Sequence, residues 1–150
     1  SSILTGFDSP AAEKARELGY RTAYFDDDFV ILVDPSKTDK YLKKTMPHSG
    51  AQAFDEGLLG EIMDFSENFP SERAQVIAAG LLAQKSAADA VSFLEEKISF
   101  YPSHYGLHNL AGRLLSEAGD YENAADILSL SKKRGIEEEK LLLEARQKIK

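Results

Sequence analysis

The sequence predicts a mainly α protein: antiparallel helix pairs preceded by a small N-terminal α+β part containing a β-hairpin. Three observations carry this prediction. From Pro70 onward apolar residues recur with a period near 3.6, as one-sided helices require. Within that stretch Leu128 lies 34 residues after Leu94, and Ala124 lies 34 after Ala90, so a two-helix unit is repeated. Earlier in the chain two strand-length runs, Tyr20 to Phe25 and Phe29 to Val33, flank the polar Asp26-Asp27-Asp28.

The elements follow in order. Ser9-Pro10 sets an N-cap before a proline at the first helical position, opening a short helix that Gly19 can end. With Asp27-Asp28 as the central pair of the hairpin, Phe25 faces Val30 and Tyr24 faces Ile31. Both faces are then apolar, which predicts cover on both sides. Ser36-Lys37-Thr38-Asp39 has capping-box spacing and predicts a short helix through about Lys44, followed by a loop at Pro47 to Gly50. A stronger helix is expected from Gln52 to Glu67, with Phe54, Leu58, Ile62 and Phe65 on one stripe. Five more follow: Ala74 to Lys85, Ala87 to Phe100, Tyr105 to Ala118, Tyr121 to Arg134 and Glu137 to Ile149. The change of pattern divides the chain into an α+β segment over 1–50 and a helical array over 51–150. The array holds repeats over 71–104 and 105–138, with packing helices on either side.

The later repeat carries Ala111-Gly112, Leu115, the turn Gly119-Asp120-Tyr121, Ala124 and Leu128. Shifted back by 34, the earlier copy has Ile77-Ala78, Leu81, Ala90, Leu94 and Pro102. This pattern resembles the tetratricopeptide repeat (TPR) family. His108 stands where that family usually has Trp, and Ile136 where it has Pro. The resemblance implies stacked helix pairs in which small residues such as Gly112 and Ala124 allow close approach. It also implies a concave groove lined by the first helix of each pair. Mapped position by position, that groove takes Gln75, Ala79 and Leu82 from one unit and Asn109, Arg113, Ser116 and Glu117 from the next. The implied function is a non-catalytic interaction module that binds a peptide or protein segment. Arg113 is the sole cation among these positions and Asn109 sits one turn before it, so an acidic or carboxylate-terminated peptide is the expected ligand. The run from Tyr24 to Val33 also resembles a hairpin in extracytoplasmic tails of polytopic glycosyltransferases. That resemblance implies the alternative: an accessory domain of a membrane enzyme whose catalytic part lies outside these residues.

Composition bounds the rest. The chain has 150 residues, 18 Lys and Arg against 25 Asp and Glu, a net charge of −7 and no Cys. Thiolate metal sites, disulfides and cysteine nucleophiles are thereby excluded. Residues 1–70 carry 7 basic and 13 acidic side chains, net −6, so the acidity is concentrated early. Such a balance argues against nucleic acid as partner. The longest apolar run, Phe29 to Val33, is far short of a membrane span, so no membrane insertion of these residues is expected. The opening Ser1-Ser2-Ile3-Leu4-Thr5-Gly6 reads as part of a longer or processed chain, and both cytoplasmic and extracytoplasmic placement fit the composition.

Several motifs invite chemistry and have simpler explanations. His104 and His108 have a metal-compatible i, i+4 spacing, but no third ligand is in view, and His108 occupies a packing position of the repeat. Asp26-Asp27-Asp28 lacks the alternation and mid-loop Gly of an EF-hand, so a hairpin tip is expected. Lys132-Lys133-Arg134 falls at a helix C-terminus, where cations are favoured. No nucleophile elbow or phosphate-binding Gly-rich loop is present, so neither catalytic residues, nor a metal, nor any cofactor are expected.

Overall fold

A computed structural model describes residues 2–34, 36 and 56–149. These form strands β1 (Ser2–Gly6), β2 (Arg21–Phe25) and β3 (Phe29–Val33), with helix α1 (Pro10–Glu17) between the first two. Six further helices follow: α2 (Glu56–Asn68), α3 (Glu72–Lys85), α4 (Ala87–Phe100), α5 (Tyr105–Glu117), α6 (Tyr121–Leu130) and α7 (Ile136–Lys148). The described chain is therefore mainly helical with a small antiparallel sheet near its start, as the sequence predicts. The expected helix over 36–44, the loop at 47–50 and the first turn of the helix from Gln52 lie outside the described residues.

The chain divides into two compact units, Ser1–Ala74 and Gln75–Lys150. This boundary falls later than the change of pattern near residue 50, and aromatic packing explains why. Phe65 of α2 stacks on Phe25 of β2 with ring centroids 4.6 Å apart, and Phe69 meets Tyr24 edge-on at 5.4 Å. The helix expected to cap the array therefore belongs with the sheet.

In the first unit the strand order is β1-β3-β2. The hairpin register is the expected one, with Phe25 opposite Val30 and Tyr24 opposite Ile31, and a bulge between Thr22 and Tyr24. β1, which periodicity does not reveal in so short a run, pairs with the other edge of β3. β3 is thus the central strand, its backbone paired along both edges. Phe25, Val30 and Leu32 are buried, as are Ala12 and Ala15 of α1, the helix that packs on β1 and β3. Cover on the second face is uneven: Phe29 is 52% exposed and Leu4 of the neighbouring β1 69%, whereas Ile31 is half-buried and Val33 is buried.

Local signals place the remaining pieces of this unit. Ser9 Oγ accepts from the Ala12 N–H at 3.1 Å, with Pro10 at the first helical position. Gly19, at φ +85°, ends α1 as its sequence position suggests. At the hairpin tip Asp26 Oδ1 accepts from the N–H groups of Phe29 (2.8 Å) and Asp28 (2.9 Å). These bonds hold its carboxyl below the ordinary aspartate range, the Phe29 N–H contributing most. Asp27 Oδ1 accepts from the Arg73 N–H at 2.7 Å, capping the first turn of α3 beside Ser71, whose Oγ accepts from Ala74. The tip is thus a cap as well as a turn.

In the second unit α5 packs against α4, α6 and α7. The turn between α5 and α6 needs a left-handed residue, supplied by Gly119 at φ +82°, and Asp120 then accepts from the Asn123 N–H at 3.3 Å to start α6. A Cβ on Gly112 would lie 2.3 Å from Leu128 Cγ, so any side chain there would force Leu128 to move. The partner is Leu128, one turn beyond the Ala124 that the repeat spacing sets against Gly112. α6 stops at Leu130, short of the expected Arg134. Ser131 turns to extended backbone, and the Arg134 guanidinium folds back to donate to the Leu128 and Ser131 carbonyls. α7 continues the offset of 34: Leu141 and Ala145 stand 34 after Leu107 and Ala111. Leu142 and Ala145 join Leu115, Ala124, Ala125 and Leu128 in one buried cluster.

Candidate interaction cleft

The seven residues mapped to the groove separate. Gln75 and Ala79 are fully buried, and Gln75 Oε1 lies 2.8 Å from His104 Nδ1. Neither side chain presents accessible surface, in contrast to the open groove positions expected of them. Leu82 is half-buried. Asn109 is engaged within the chain, its Nδ2 donating to the Lys133 carbonyl at 2.9 Å.

Arg113, Ser116 and Glu117 do come together. They line a cleft of about 130 Å³ with Tyr121 of α6 and Leu141, Glu144, Ala145 and Lys148 of α7. Helical spacing explains the assembly: 113, 116 and 117 share one face of α5, as 141, 144, 145 and 148 share one face of α7. Buried Ala145, small and 1% exposed, lies between the walls and keeps the floor open.

The charges in and beside the cleft are not equivalent. Arg113 Nη2 donates to Glu138 Oε1 at 2.9 Å and lies 4.0 Å from Glu137. Burial raises the Glu138 carboxyl pKa, but bonds from its own N–H, from Arg113 and from the Gly135 N–H (3.0 Å) outweigh that and lower it. Arg113 is thus held by a carboxylate that also caps α7, which corrects the expectation of a free groove cation awaiting an acidic ligand. At the far end, Lys148 Nζ donates to the Tyr121 hydroxyl at 2.9 Å and sits 4.3 Å from the centre of its ring. The hydroxyl bond, and then the charges of Tyr121 and Glu144, raise the pKa of this ammonium above the usual lysine value. Ser116 Oγ is buried without a hydrogen-bond partner. Among the described residues neither Glu117 nor Glu144 forms an ion pair.

Sequence reasoning missed the α7 side of this cleft. The signal was present: extending the offset of 34 one more step turns α7 from a packing helix into a counterpart of α5. The two histidines are engaged locally. His104 stacks on Tyr101 with ring centroids 5.0 Å apart, and buried His108 points Nδ1 at the His104 carbonyl, 3.2 Å away. Among the described residues no three of His, Asp and Glu gather in a metal-binding arrangement, and no helix is long and apolar enough to cross a membrane. Comparison with protein-family models, curated proteins and solved structures found no match.

Proposed function

We propose that the second unit is a non-catalytic, TPR-like interaction module that binds a peptide or protein segment in the cleft between α5 and α7. One observation carries the reading: Arg113, Ser116 and Glu117, three positions that the repeat pattern assigns to a groove, line one open cleft. The engaged Asn109 and Arg113 narrow the binding region to the end nearer Tyr121 and Lys148. A random peptide array, followed by amide NMR titration of each hit, tests this. Shift changes should cluster at 113–121 and 141–148. Hits that move amides only elsewhere, or an array with no hits, would refute the cleft as a binding site.

A further inference from the structure

The cleft discriminates between ligand charges. Its one guanidinium, Arg113, is paired with Glu138. Its two carboxylates, Glu117 and Glu144, form no ion pair within 4 Å among the described residues, although the charge of Glu144 acts on Lys148. Its aromatic wall already carries an ammonium group: Lys148 Nζ, from the last turn of α7, sits 4.3 Å from the Tyr121 ring centre and bonds to its hydroxyl. An aromatic face beside unpaired carboxylates attracts ammonium through the ring quadrupole and through ordinary charge attraction. A ligand carboxylate would meet Glu117 and Glu144 and find Arg113 taken.

We propose that the cleft takes a basic, lysine-bearing peptide segment, whose ammonium occupies the seat on Tyr121 that Lys148 fills. This rests on the cleft reading above and specifies its ligand. Lys148 acts as a competitor in cis: its ammonium must leave the ring before a ligand's can settle there. Its exposed position in the final turn of α7 eases that exchange.

The test uses the full chain and short capped peptides whose central residue is Lys, acetyl-lysine, Gln or Glu, with random flanks, read by fluorescence polarisation at low salt. Only the lysine set should bind. Glu117→Gln and Glu144→Gln should each weaken it, and Lys148→Gln should tighten it, by about two- to fivefold, the worth of an exposed ammonium–ring contact. All three positions are on exposed surface, and unchanged circular dichroism melting checks that the variants fold. Preference for the Glu set, or equal binding of acetyl-lysine, with shift changes still at 113–121 and 141–148, overturns the basic ligand but leaves the cleft standing. Lysine-peptide binding indifferent to all three substitutions overturns both. So does binding by none of the four sets.

Discussion

Replacing Gly112 with alanine adds one methyl group at the closest helix contact of the second unit. The new Cβ would stand 2.3 Å from Leu128 Cγ, 2.6 Å from Cδ2 and 3.0 Å from Cδ1. Carbon atoms in packed interiors sit roughly 3.5–4.0 Å apart, so the shortfall exceeds 1 Å. Leu128 is fully buried and has no open side to retreat into. Overpacking of this kind costs about 1–3 kcal/mol. Alanine also gains about 1 kcal/mol over glycine inside a helix, which offsets part of the loss. Gly80, in the interior of α3, isolates the steric part, because a Cβ there meets nothing within 4 Å. Gly80→Ala should stabilise by about 0.5–1 kcal/mol. The difference between the two variants, about 1–3 kcal/mol in urea unfolding, is the clash itself. For a chain of this size that is a Tm gap of roughly 2–12 °C. Leu128→Ala, costly alone, should lose much less in the Gly112→Ala background, since the methyl group then fills part of the cavity. If Gly112→Ala proved as stable as Gly80→Ala, the close contact between α5 and α6 would be wrong.

Three other outcomes follow from the contacts. Asp27→Ala removes the acceptor for the Arg73 N–H and should cost about 0.5–2 kcal/mol in denaturant unfolding, a cap's usual worth; no change would show Ser71 to suffice alone. Arg113→Ala breaks the pair with Glu138 and should cost no more than about 1 kcal/mol, since the guanidinium is 44% exposed; a thermal melt showing a much larger loss would place it in the core. Asp26 contributes stability that is complete above its unfolded pKa of about 3.9 and disappears as pH falls through its depressed folded value. Wild type should therefore lose more stability than Asp26→Asn between neutral and strongly acidic pH, and parallel curves would contradict that.

What the sequence determined by itself is what local chemistry decides. Ser9-Pro10 and Gly19 bound α1, the Asp-rich tip sets the hairpin register, and 3.6-residue periodicity locates α4 and α6. Each depends on residues within a few positions of one another, so the signal is written in short stretches. The tertiary structure decided what depends on distant partners. Ser2 to Gly6 becomes a strand because β3 offers a free edge some 25 residues later, and no pattern in five residues announces that. α2 joins the sheet because Phe65 finds Phe25, although its apolar stripe would serve equally well against a helix. Gln75 is buried and Arg113 is engaged because His104 and Glu138 arrive beside them from other helices. A repeat pattern names the positions that face a groove. Whether a side chain there is free depends on charge and hydrogen-bond partners brought in by folding, and at Lys148 and Tyr121 folding brings an amine onto an aromatic ring across 27 residues of sequence.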